Sequence, residues 1–306
     1  MKIISIINSK GGVGKTTFTV SISQALAISG FKVLAIDNDS QHNLTYLLGE
    51  KLFHPNIRDI YRSSIKTARQ NFMYSIRETG LSNLHIITSQ SELQYNDVRD
   101  PFILAKIIKF CDLSRFYDFV LIDNPSGLDL LQEASIHASD EIFVPTDLSY
   151  FAINGIKETY AKIDARFKNT YTISKIIPNA YRNLKPHNHY ISVLNKLFPD
   201  TVTKTHIPYD PVFDMCMKDG KTLFIHRLYS KAAAYYLKLI HELFNLDEDE
   251  TWEKVMEKRQ KSLKKEARKR YFVQKEGIKN SKPIFLKDGK VIKYVVKEKV
   301  KPQLKK

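Results

Sequence analysis

The 306-residue sequence is poor in cysteine, in long uncharged stretches and, over most of its length, in excess charge of either sign. Its two cysteines, Cys111 and Cys216, stand far apart and outside any CxxC spacing. That excludes a disulfide framework and a cysteine zinc site, and fits a reducing, cytosolic compartment. The opening apolar run Ile3–Ile7 stops at Asn8 and Ser9, and no later uncharged stretch reaches the length of a membrane span. It is too short for a signal-peptide core or a membrane span. No Gly-x-Ser-x-Gly elbow and no HExxH occurs among the nine histidines, which sets aside nucleophilic and zinc mechanisms. His187 and His189, two apart, read as solvated loop or helix-start residues. What is left, 43% apolar and 26% charged residues, is ordinary for a globular chain with room for one large α/β domain or two small ones.

The formal net charge of +15 is unevenly placed. Residues 251–306 hold 20 Lys+Arg against 6 Asp+Glu, a net +14, leaving 28 against 27 for residues 1–250. A near-neutral body with a basic extension suits attraction to nucleic acid or to an anionic membrane; a lysine-rich end that serves only solubility is the plainer alternative.

Short β-branched runs at Lys2–Ile7, 32–36, Leu84–Thr88, Asp118–Ile122, Glu141–Pro145, Ser174–Pro178 and Thr203–Ile207 predict strands. Helical spacing predicts Lys15–Ser29, stopped by Gly30, and helices near 101–113, 128–137, 153–167, 187–198 and 231–244. Tyr235 and Tyr236, at helical spacing, read as core. Apolar strands alternating with helices imply a doubly wound, mostly parallel sheet covered on both faces. Residues 45–80 are weakly patterned and are placed only as a helical or loop insertion. The expected division is an α/β body over 1–246 and a lysine-rich extension over 247–306. Within the extension, residues 253–270 read as a charged helix, and 283–299, turning at Asp288-Gly289, as a hairpin.

The sharpest chemical signal lies between the first strand and first helix: Lys10-Gly11-Gly12-Val13-Gly14-Lys15-Thr16-Thr17. Glycines there let successive backbone N–H groups face a phosphate chain, and the helix N-terminus adds its positive end. In that arrangement Lys15 reaches the β- and γ-phosphates and the Thr16 hydroxyl ligates Mg²⁺. The plain P-loop pattern asks for glycine at position 9, which here is Ser9. Asp37-Asn38-Asp39 follows the second strand and Asp123 ends the run Phe119–Ile122. Carboxylates at strand C-termini sit where open α/β sheets bind ligands, and a buried strand fixes Asp123 for a Mg²⁺ shell. Asn179, after the Ile176–Pro178 strand end, meets the adenine edge or is simply a turn residue.

With Lys10 directly before the glycine pair, the loop resembles the deviant Walker A motif of the ParA/MinD group of ATPases. The resemblance implies a P-loop NTPase fold, ATP and Mg²⁺ as cofactors, and a homodimer in which Lys10 reaches the partner's nucleotide. It assigns Asp39 to orienting the attacking water and Asp37 to a place near the metal. Pro145–Ile156, with Tyr150-Phe151-Ala152-Ile153-Asn154-Gly155, and then Ile207-Pro208 and Gly220-Lys221-Thr222, are similar to the partition branch. The resemblance covers residues 1–245 and, since the P-loop begins at once, points to the short, Soj-like form. For that form it implies non-specific DNA binding, partition of a plasmid or chromosome, slow hydrolysis stimulated by a ParB-like adaptor, and a nucleoid-associated cytoplasmic location. Departures are Ser40 for the family's proline, Asn124-Pro125-Ser126 for x-Pro-Pro, and Tyr209-Asp210 where that branch carries arginine. A MinD-like or cargo-positioning ATPase, its tail on an anionic membrane or a protein, is the alternative; an apolar helix face for membrane docking is lacking in the tail.

Overall fold

Period-two runs of Ile, Val and Leu, too apolar for either face to meet water, build the centre of the molecule. The computed structural model describes residues 1–49, 53–168, 170–218, 220–228 and 230–246. Seven strands form one sheet: β1 (Lys2–Ile6), β2 (Val33–Asp37), β3 (Ile76–Glu78), β4 (Leu84–Ile87), β5 (Phe119–Asp123), β6 (Glu141–Thr146) and β7 (Lys175–Pro178). Their order is β3-β4-β2-β5-β1-β6-β7, and every pairing is parallel except the β3–β4 edge. The helices are α1 (Lys15–Ile28), α2 (Asn43–Leu47), α3 (Ile57–Arg62), α4 (Ile65–Ser75), α5 (Ile103–Phe110), α6 (Leu130–Ala138), α7 (Tyr150–Phe167), α8 (Lys185–Leu197), α9 (Val212–Lys218), α10 (Leu223–His226) and α11 (Lys231–Phe244). This is the doubly wound, mostly parallel architecture expected from the alternating pattern.

Alternation along the strands divides the core. Leu34, Ile36, Val120 and Ile122 pack on one face under α3, α4, α5 and α6, continued by Ile142 and Val144 under α7 and α8. On the other face α1 packs against α11, with Phe18 and Tyr236 rings 6.0 Å apart and Phe244 4.7 Å from Phe119. Tyr236 is fully buried, as its helical spacing predicts, whereas Tyr235, also expected in the core, is only half-buried.

Two expectations change. The segment Thr203–Ile207 is not a strand. Val202 and Pro208 form isolated bridges to Ile176 and Tyr181. Between those bridges the Glu242 carboxylate of α11 accepts the Lys204 and Thr205 amides at 2.6 and 2.8 Å, and the Thr203 hydroxyl donates to the Thr205 carbonyl at 2.9 Å. Amides committed to a side chain cannot extend a ladder. The weakly patterned 45–80 region holds α3, α4 and the antiparallel edge strand β3. α3 is opened by an Asn56–Asp59 capping box and α4 by Ser64. The helix and hairpin expected in 247–306 lie outside the described residues. No helix of the described residues is long and apolar enough to cross a membrane.

Candidate functional site

β1 delivers the chain to a glycine loop at the C-terminal edge of the sheet. Gly12 and Gly14 take φ of 75° and 89°, a left-handed region that glycine enters without steric cost. At Gly14 a Cβ would also lie 2.5 Å from Asn179 Nδ2. α1 starts at Lys15 with no side-chain cap and no acidic residue in its first turn. The first N–H groups of any α-helix lack intrahelical acceptors and carry the positive end of its dipole, so an anion complements them. Buried Asn8 sets the loop's approach: its Nδ2 donates to the Pro145 carbonyl at 2.9 Å, and its Oδ1 accepts the Lys10 amide at 2.9 Å.

Lys15 is only 8% exposed, and its Nζ donates to Ser126 Oγ at 2.9 Å. Burial lowers its pKa, while the carboxylates of Asp123 and Asp39 pull the other way. Asp123, fully buried, accepts the Thr19 hydroxyl on Oδ1 at 2.8 Å, and its Oδ2 is buried without any hydrogen bond. Burial pushes its pKa up to about 7; the neighbouring Asp37 charge adds to that, and the Thr16 and Thr19 hydroxyls oppose it. An unpaired buried carboxylate oxygen beside the Thr16 hydroxyl, next to a glycine loop, is the hard-oxygen donor set that a divalent cation completes. The residues present therefore fit Mg²⁺ and a polyphosphate.

Asp37 and Asp123 are register partners on adjacent parallel strands. Asp37 has both oxygens engaged: Oδ2 accepts the Thr45 amide at 2.8 Å and hydroxyl at 2.7 Å, and Oδ1 accepts the Asp39 amide at 3.2 Å. Burial raises its pKa to about 7, against the Thr45 hydrogen bonds. Its position is that of an anchor for the loop bearing Asp39. Asp39 itself is half-buried, accepts the Gln41 amide at 3.0 Å, and lies near enough to Lys15, Asp37 and Asp123 for its charge to act on all three.

Lys10 points from the loop toward the end of β6, where its Nζ donates to both Asp147 oxygens at 2.9 Å. Both side chains of that pair are about a third exposed. Asn179 Nδ2 donates to the Val13 carbonyl at 3.0 Å and its Oδ1 accepts the Ala180 amide at 2.9 Å, so this side chain braces the glycine loop from β7. Thus the structure gathers Lys10 to Thr17, Asp37, Asp39, Asp123 and Asn179 on one sheet edge.

Sequence reasoning passed over Asn8, Thr19, Ser126 and Asp147. Their signal was available in part: Asn8 and Asp147, like Asp37 and Asp123, are polar residues at or just past the ends of apolar parallel strands. Thr19 carries no such mark, because only the α1–β5 packing brings it to Asp123.

Phosphate loop, helix N-terminus and strand-end carboxylates on one edge of a parallel sheet define a P-loop nucleotide triphosphatase site. A family profile described as an AAA domain, AAA_31, matches residues 1–176, more than half of the chain, which belongs to that family as a ParA/MinD-type ATPase. The chain is 28% identical over 252 residues to the sporulation initiation inhibitor protein Soj of Bacillus subtilis, covering 79% of this chain and 98% of Soj. It is 24% identical over 270 residues to the chromosome partitioning protein ParA of Caulobacter vibrioides, covering 81% and 96%. The septum site-determining protein MinD of Pyrococcus horikoshii, solved with Mg-ADP, is similar at 27% identity and a TM-score of 0.64, over 79% of this chain and 96% of that one.

Proposed function

We propose that the chain is a cytoplasmic ATP hydrolase that dimerises around Mg·ATP, binds DNA without sequence preference and drives partition of a plasmid or chromosome. A ParB-like adaptor would stimulate its slow hydrolysis. The observation that carries this reading is Lys10, set at the mouth of the phosphate loop on an ion pair with Asp147 that is open to solvent. Such a pair contributes no more than about 1 kcal/mol, so the contacts of a second copy's triphosphate outweigh it.

In this reading Lys15 and the backbone amides of residues 11–17 bind the phosphates. Thr16 and Asp123 hold the Mg²⁺, which supplies positive charge for the oxygens of the transferred phosphoryl group. Asp37 keeps the Asp39 loop in place, and Asp39 accepts a hydrogen bond from the attacking water and orients it. Asn179 supports the loop and borders the adenine. Because the contacts of Lys10 to the second copy's triphosphate are made only in the dimer, ATP shifts the population toward it and hydrolysis reverses that shift.

The dimer doubles the basic surface offered to DNA, and the net +14 of residues 251–306 supplies phosphate contacts. If about six basic residues of each tail meet phosphates, log affinity falls against log salt with a slope near −5 per tail. The test is DNA binding by the Mg·ATP form across a salt series, for the whole chain and a 1–250 truncation. Equal slopes refute the role of the tail, and ATP-independent binding refutes the cycle. Likeness to MinD supports a second reading, with the basic tail on anionic lipid at about 1 kcal/mol per residue. Sedimentation with vesicles of anionic lipid, with and without ATP, separates the two.

A further inference from the structure

The middle residues of the two acidic motifs, Asn38 and Asn124, play no part in the reading above, yet both are fully buried. The register that pairs Asp37 with Asp123 sets the residues just past the ends of β2 and β5 side by side. Asn38 Nδ2 donates to Asn124 Oδ1 at 2.8 Å and to the Leu131 carbonyl of α6 at 2.9 Å, while its Oδ1 accepts the Tyr61 hydroxyl of α3 at 2.7 Å. Asn124 Nδ2 in turn faces Ser5 Oγ at 3.0 Å and the Ile6 and Ile122 carbonyls at 3.1 Å. The backbone joins in, the Asn38 amide donating to the Asp123 carbonyl at 2.9 Å. All the side-chain polar atoms of both asparagines are thus engaged, in a fully buried layer where breaking one bond strands its partner.

This layer joins two loops with different tasks. One residue beyond Asn38 stands Asp39; two beyond Asn124 stands Ser126, whose hydroxyl accepts the Lys15 ammonium at 2.9 Å. Resting on the ATPase reading, we propose that the Asn38–Asn124 pair, anchored by Tyr61, is a positioning device: it couples the Ser126 loop to the Asp39 loop, so that occupancy of the phosphate loop at Lys15 fixes where Asp39 stands. A planar amide suits the task. Its donors and acceptor are held in one plane, so a shift of either loop is passed to the other or breaks the bond. None of the three residues touches the phosphate loop, and all act through Asp39 and Ser126.

The test uses the full chain with the variants Asn38→Ala, Asn124→Ala, the double variant, and Tyr61→Phe, which deletes one hydroxyl and keeps the ring packed. Steady-state ATP turnover is read well below each variant's Tm. The alanine variants are expected to lose about tenfold in kcat with KM for ATP within about threefold, as supporting residues behind a site do. Tyr61→Phe should lose about threefold, and the double variant no more than the worse single one, because coupled residues are not additive. Hydrogen exchange supplies a readout without turnover. With Mg²⁺ and a non-hydrolysable ATP analogue, segments 37–45 and 123–131 should gain protection together in the wild type, and only 123–131 should gain it in Asn38→Ala. Turnover within twofold of wild type in all variants, or a joint exchange response in Asn38→Ala, overturns the proposal; so does a loss carried by KM instead of kcat. A wild type without turnover counts against the hydrolase reading alone, with the exchange pattern still deciding the coupling.

Discussion

Replacing Asp123 by Asn should make the nucleotide-free protein more stable while removing its response to Mg·ATP. The carboxylate is fully buried, accepts the Thr19 hydroxyl on Oδ1, lies beside the Thr16 hydroxyl and leaves Oδ2 without a hydrogen bond. Its pKa stands at about 7 against an ordinary 3.8, so folding at pH 8 carries the cost of holding it ionised. At about 1.36 kcal/mol per pH unit that cost is about 4 kcal/mol. Asparagine keeps the shape and can still accept the Thr19 hydroxyl, but it buries an unpaired N–H₂, which costs about 1–3 kcal/mol. A net gain of about 1–3 kcal/mol follows, or a Tm higher by about 3–10 °C at this chain length. The sign with pH is fixed by the raised pKa. The folded state binds the proton more tightly than the unfolded one, so the wild type's stability is flat above about pH 7 and recovers as pH falls from about 7 toward 3.8, and the variant's advantage shrinks toward pH 5. Thermal unfolding in chelator from pH 5 to 8.5, wild type against variant, measures this directly. An Asp123→Asn protein no more stable at pH 8, or an advantage that grows as pH falls, refutes the reasoning.

Gly14→Ala places a Cβ 2.5 Å from Asn179 Nδ2 at φ 89°, and should cost about 1–3 kcal/mol of stability and at least tenfold in ATP affinity by calorimetry. Asp147→Asn frees Lys10 from a solvent-open pair, so stability should change by less than about 1 kcal/mol while dimerisation sets in at lower ATP, read by analytical ultracentrifugation. Glu242→Gln replaces a charged acceptor of the Lys204 and Thr205 amides with a neutral one that can serve only through its single oxygen. It should lower Tm by about 2–6 °C and leave ATP binding intact.

Most of the architecture is legible in the order of residues because the strands of a parallel sheet, buried on both faces, read as apolar blocks. The P-loop is legible because its chemistry is local: eight consecutive residues carry it. What escaped reading depends on partners distant in sequence. α3 is six residues long and α4 buries only Ala68, Phe72 and Ser75, too few apolar positions for a clear periodic stripe, although Asn56 and Ser64 carry the cap chemistry that starts them. β3 has three residues and exists only as an edge against β4. The pattern of Thr203–Ile207 suits a strand, but Glu242, some 38 residues on, takes its amides. The Lys10–Asp147 pair and the Asn38–Asn124 pair likewise follow from strand order, which places β2 beside β5 and β1 beside β6. No local spacing encodes that order.

The central claim is that the loop from Lys10 to Thr17 takes Mg·ATP and thereby joins two copies of the chain. Light scattering on an Asp39→Ala variant, chosen because the proposal puts Asp39 on the attacking water and not on the phosphates, tests it most directly. Twice the chain mass with Mg·ATP and a single chain mass with Mg·ADP is the predicted result, lost again when Lys10→Ala is added. A single chain mass under both nucleotides would contradict it.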